Sequence, residues 1–99
     1  MSPDGTRLIC TMTSTQQTFQ NDRDVPIYVW VELVPECFEL EPGDKLTMIW
    51  DAPVSGDVVT VSFLDERELV VCPNGDVDAI VYLFNGEPGE DRSWTFKHR

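Results

Sequence analysis

Basic residues are what this chain has least of for its charge. Seven Lys and Arg face eighteen Asp and Glu, which leaves a net charge of −11 and a pI near 4.1. Phosphate groups are held by clustered Lys and Arg, so the scarcity argues against nucleic acid or an anionic membrane as partner. Histidine is scarcer still, with His98 alone at the extreme end. One terminal imidazole cannot build a Ser-His-Asp or Cys-His arrangement, so the sequence predicts no enzyme and no catalytic residue. The three cysteines, Cys10, Cys37 and Cys72, form no C-x-x-C pair and are odd in number. The opening MSPDGTRLIC has neither a basic lead nor an apolar core of the kind a secretion leader carries. Together these predict reduced thiols in a cytoplasmic protein. No apolar run approaches the ~18 residues that a membrane span needs.

Metal ligands are missing in the same way. A blue-copper centre takes two His, a Cys and a weak axial Met, and one His excludes it. Zinc on Cys37, Cys72 and His98 lacks a fourth ligand. Oxygen-rich loops exist: Asp51 with Asp57, Asn74 with Asp76 and Asp78, and Glu87 with Glu90 and Asp91. None matches the calcium-loop pattern, and they read as solvated turns. No metal and no cofactor are expected.

A helical period is absent as well, and what replaces it is alternation. Residues 6–13 place Leu8, Cys10 and Met12 on one face, and the polar stretch to Gln20 is read as continued sheet with Phe19 returning to the core. After an Asn-Asp turn, residues 27–34 put Ile27, Val29, Val31 and Leu33 on a purely aliphatic face and Tyr28, Trp30, Glu32 and Val34 on a mixed one. Phe38 and Leu40 point inward in the next strand. Glu41-Pro42-Gly43-Asp44 has type II turn chemistry, with Pro fixing φ and Gly supplying a positive φ. Leu46, Met48 and Trp50 share a face, and residues 51–57 read as a loop. Strands are predicted at 58–64 and 69–72, then a hairpin at Asn74-Gly75 leading into a strand over 77–84. Residues 85–91 read as a loop, and 93–98 as a last strand with Trp94, Phe96 and His98 on one face.

Short strands punctuated every 8–12 residues by turn chemistry predict an all-β, antiparallel two-sheet β-sandwich, immunoglobulin-like or cupredoxin-like, of about seven to eight strands. With 99 residues the chain has room for one domain, 1–99, and one core. The run Tyr28-Val29-Trp30-Val31-Glu32, then Phe38-Glu39-Leu40 and Pro42-Gly43, resembles a set of small bacterial β-sandwich proteins of unassigned function. Those share a V-W-V-E segment, an acidic-aromatic stretch and a P-G turn. This chain departs from them at residues 33–37, where they carry Pro-Trp-Gly. The resemblance implies a sandwich fold and a bacterial cytoplasmic origin, and it carries no catalytic residue across.

The functional expectation is a non-catalytic, acidic protein-interaction module that uses the mixed face of Tyr28, Trp30 and Glu32. Its partner is another protein, with net charge favouring a basic one, or a second copy paired through an edge strand. Two alternatives stand beside it. One is a small-ligand or carbohydrate site lined by Trp50 or Trp94; the other is an acidic nucleic-acid mimic that inhibits a basic DNA-binding protein.

Overall fold

The computed structural model describes residues 11–32 and 36–93. The strand expected over 6–13 therefore lies outside the described residues except at its end, and the one over 93–98 except at Ser93. Leu33, Val34 and Cys10 also lie outside them.

Among the described residues eight strands follow in chain order: β1 Met12–Gln20, β2 Ile27–Val31, β3 Glu36–Leu40, β4 Lys45–Pro53, β5 Val59–Asp65, β6 Glu68–Pro73, β7 Val81–Phe84 and β8 Glu87–Pro88. They form two four-stranded sheets, β1-β4-β7-β8 and β3-β2-β6-β5, which make a β-sandwich. Neighbouring strands run antiparallel except β2 and β6, which pair in parallel, Tyr28 beside Glu68 and Val31 beside Val71.

The core is the set of inward positions that alternation selects. Ile27, Val29 and Val31 on β2 meet Phe38 and Leu40 on β3, with Leu46, Met48, Trp50 and Ala52 on β4 facing them. Burying each large apolar side chain contributes roughly 1.5–3 kcal/mol, so this cluster is the main cohesive force between the sheets. The Phe38 and Tyr82 rings lie 5.0 Å apart at 39°, a tilted aromatic contact that crosses from one sheet to the other. The Pro-Gly turn forms as its chemistry dictates: Gly43 has φ +89° and Asp44 donates its N–H to Glu41 O at 2.9 Å. Beside it Asn21 is fully buried and hydrogen-bonded through both backbone and side chain.

Three local expectations are corrected. Asp51, Ala52 and Pro53 continue β4 instead of starting a loop, because β1 extends far enough to pair with them, Ser14 with Asp51 and Met12 with Pro53. Proline is tolerated there because it stands at the strand end. Asn74-Gly75 is not a hairpin. It carries the chain from β6 in one sheet towards β7 in the other, and Val77–Ala79 is a 3₁₀ turn rather than strand. The Asn-Gly hairpin is the later one, where Asn85 (φ 54°) and Gly86 (φ 85°) join β7 to β8 inside the segment expected to be a loop. Both central residues there have the positive φ that a two-residue hairpin demands.

Candidate functional site

Inward positions of β2 fill the core, so its even-numbered residues occupy the outer face. Tyr28 and Trp30 stand two residues apart on that face, as alternation requires. The hairpin register sets Glu39 opposite Tyr28 and Cys37 opposite Trp30, while the parallel neighbour β6 brings Glu68 and Val70 alongside. Trp30 remains 39% exposed and Tyr28 half-buried. The indole N–H of Trp30 donates to Glu68 Oε1 at 3.1 Å, and the Tyr28 hydroxyl donates to Glu39 Oε2 at 3.4 Å. An open hollow of about 260 Å³ is lined by Tyr28, Trp30, Cys37 and Glu68. It adjoins a second of about 440 Å³ lined by Tyr28, Asp65, Glu66, Arg67 and Glu68.

Of the three residues expected to form an interaction face, the structure brings Tyr28 and Trp30 together. Glu32 leaves the strand: β2 ends at Val31, and Glu32 is an exposed turn residue whose N–H donates to Val71 O at 2.9 Å. Its place beside the aromatics is taken by Glu39 and Glu68, which sequence reading did not single out. Glu39 was within reach of hairpin arithmetic once β2 is ended at Val31. Nothing local announces Glu68, because a parallel neighbour forty residues away is a product of the sandwich topology.

Cys37 lies under this surface, 4% exposed and directly opposite Trp30. Burial pushes its thiol up to about 11, and the carboxylates of Glu68 and Glu39 add to the shift. Such a thiol is protonated at neutral pH, whereas the reactive form of cysteine is the thiolate. What the arrangement offers chemically is an aromatic surface with carboxylates at its margin, suited to cations and to amphipathic side chains.

The other tryptophan with a structural description offers no such surface. Trp50 is 3% exposed, and its indole N–H donates to Asn74 O at 2.6 Å. It is a core residue anchoring a loop, not a stacking platform; Trp94 lies outside the described residues. A separate cleft of about 500 Å³ opens between the end of β1 and the β5–β6 hairpin, with Phe19, Ile27, Phe63 and Leu69 in its wall and Arg23 and Glu66 at its rim. Arg23 closes one side by donating from Nη1 to Glu66 O at 2.7 Å. Among the described residues no group of three or more His, Cys, Asp or Glu converges as a metal site, and no helix is long and apolar enough to cross a membrane.

Among the described residues three buried polar atoms have no hydrogen-bond partner: Glu36 Oε1, the Tyr82 hydroxyl and Ser93 Oγ. Burial pushes the Tyr82 phenol up to about 12, helped by the Glu36 and Glu90 carboxylates. The folded pKa lies above the ordinary value of 10, so the folded state holds its proton where the unfolded chain has lost it. Stability contributed by this group is complete below about pH 10 and is lost as pH rises towards 12, by about 2–3 kcal/mol. Urea titrations at pH 9 and pH 11.5 are expected to show about 2 kcal/mol of that loss in the wild type, on top of the loss that the raised Cys37 thiol adds over the same range. Tyr82→Phe has no phenol proton to lose, so it is expected to lack this part of the alkaline loss, and it breaks no hydrogen bond among the described residues. An equal alkaline loss in both proteins would assign it to other groups. No family model matches the chain, and no curated protein and no solved structure matches it.

Proposed function

We propose that this protein is a non-catalytic interaction module that binds a basic segment of another protein on the outer face of β2. The observation that carries the reading is Trp30, a large aromatic left 39% exposed in the middle strands of a sheet, with Glu68 at its indole N–H. Burying a tryptophan stabilises a fold when its N–H finds a partner, as Trp50 does, and aromatics left exposed beside an open hollow are residues on which protein contacts are built. Glu39, Glu68, Asp65 and Glu66 surround the two aromatics in the adjoining hollows and strands. A Lys or Arg side chain laid over the indole gains a cation–π contact and a carboxylate together. The net charge of −11 steers such a partner towards the surface from a distance.

The reading is tested by titrating the full chain with Lys- and Arg-bearing peptides and their neutral analogues, following tryptophan emission. Basic peptides are expected to bind, with affinity falling as salt is raised. Trp30→Ala is expected to weaken binding about tenfold or more, the loss of a central aromatic contact. Trp30 is surface-exposed, so the variant keeps its core. Neutral peptides binding as well as basic ones, or identical titrations for wild type and Trp30→Ala, would remove this face from consideration.

A further inference from the structure

Among the described residues, the two sides of the sandwich finish their open strand edges differently. On one side β3 is five residues long and carries Glu36 and Glu39, and β8 is two residues long and ends in Pro88. Shortness, charge and proline are how sheets protect an edge from pairing. On the other side lie β1, nine residues reading MTSTQQTFQ, and β5, seven residues reading VTVSFLD. One charged side chain, Asp65, falls in the two strands together, at the very end of β5. In a chain that is 25% charged, that side is conspicuously neutral.

Of these two edges β5 is the less complete. It pairs with β6 through Val59–Pro73, Thr60–Cys72, Val61–Val71, Ser62–Val70 and Phe63–Leu69. Asn74 donates its N–H to Val58 O, and Pro73 has no N–H to give Val59. Alternation along an antiparallel ladder therefore gives Thr60 and Ser62 the bonds to β6 and turns the N–H and C=O of Val59, Val61 and Phe63 outward. Among the described residues nothing pairs with that edge. The same three residues share the sheet's inner face, because Val71 opposite Val61 is core. Yet Val61 is 37% and Phe63 76% exposed. The inner face of β5 projects past the cover that β1 supplies, and the cleft between Phe19 and Phe63 is the visible gap.

An antiparallel copy of β5 laid on this edge about a two-fold axis at Val61 sets Val61 against itself, Val59 against Phe63 and Thr60 against Ser62. Apolar then meets apolar on the inner face and hydroxyl meets hydroxyl on the outer one. All three outward-facing residues fall in narrow hydrogen-bonded pairs, and no charge lies within the paired stretch. The pairing stops at Phe63, where a bulge shifts the register before Asp65. We propose that a second copy of this chain docks on β5, joining two four-stranded sheets into one across a two-fold axis. A basic partner would find its complement elsewhere on this acidic surface, since residues 59–63 of this edge have no carboxylate to offer. The inference is independent of the Trp30 face, which lies two strands further in on the outer side of the same sheet.

Sedimentation equilibrium of the full chain is the test. One short edge is a small interface, so mass is expected to double at concentrations on the order of 100 µM and to stop at the dimer. Added salt tightens the association, because two molecules of charge −11 repel less when screened. Thr60 and Ser62 are exposed, so charges placed there leave the fold intact. Thr60→Lys/Ser62→Lys sets lysine against lysine across the axis and is expected to weaken the dimer about tenfold, although it lowers the net negative charge. Thr60→Lys/Ser62→Glu sets opposite charges against each other and keeps it. A monomer at every concentration, mass that grows without limit, or a dimer indifferent to both variants would overturn the proposal.

Discussion

Gly75→Ala is expected to unfold at a far lower urea concentration than Gly43→Ala, although both replace a glycine of positive φ. Gly43 (φ +89°) sits in the exposed Pro-Gly turn, with no atom of the described residues within 4 Å of an added Cβ. There alanine suffers only the left-handed backbone penalty, about 1 kcal/mol. Gly75 (φ +108°) carries the chain from one sheet to the other against the backbone of β4. A Cβ at Gly75 would overlap the Asp51 carbonyl oxygen and stand 2.8 Å from Ala52 Cα. Neither neighbour can swing aside. That oxygen already accepts the Asp76 N–H at 2.9 Å, and Ala52 is fully buried in a strand that β1 pairs at Thr13. Relief therefore has to come from moving the crossover off β4, which breaks the Asp76 bond and the Trp50 bond to Asn74 O. The expected cost is about 3 kcal/mol or more, the size of a lost network plus strain. Trp50 fluorescence is the natural probe, since its indole holds the residue next to Gly75. Equal midpoints for the two variants would refute the assignment.

This crossover is also where sequence and structure part company, for a physical reason. Asn-Gly can adopt the backbone of a tight hairpin at either of its two occurrences, and local chemistry does not choose between them. At Asn85-Gly86 the flanking strands β7 and β8 are short, lie in one sheet and close at once. At Asn74-Gly75 the preceding strand already has neighbours on both sides, β2 and β5, so no edge remains for the chain to fold back upon. It has to change sheets. The same absence of topological information hid the parallel pairing of β2 with β6, and with it Glu68, the acid that bonds Trp30. By contrast, what depends on one strand alone was readable. Ile27, Val29 and Val31 are core because their alternation is unbroken, and the mixed character of Tyr28 and Trp30 follows from the same period. The exposure of Val61 and Phe63 was not readable, because a strand of alternating apolar residues looks the same whether its inner face is covered or overhangs.

Asn21→Asp, a change of one atom, is expected to cost more than Asn21→Ala at neutral pH. Asn21 is fully buried, and its Nδ2 donates to Val25 O at 2.8 Å and to Leu40 O at 2.9 Å, while Oδ1 accepts the Arg23 N–H at 2.9 Å. Its own N–H donates to Asp44 O and its carbonyl accepts from Gly43. One residue thus ties four segments: its side chain joins the end of β1 to the turn after it and to the end of β3, and its backbone holds the Pro-Gly turn. Alanine abandons two buried carbonyls and one N–H, for about 2–4 kcal/mol. Aspartate keeps the acceptor for Arg23 but turns a carboxylate oxygen towards both carbonyls, in a site without solvent to share the charge. Burial and those two oxygens raise the carboxyl's folded pKa above its unfolded value of about 3.9. The proton-linked stability is therefore whole below about pH 3.9 and is lost as pH rises to the folded pKa, after which the deficit is constant. A protonated carboxyl also recovers one donor, so at low pH the aspartate variant is expected to overtake the alanine one. Urea midpoints of both variants relative to wild type, measured at pH 4 and pH 7, check the crossing. A ranking that does not change with pH would mean the carboxylate escapes to solvent, and that Asn21 is not the buried tie between these four segments.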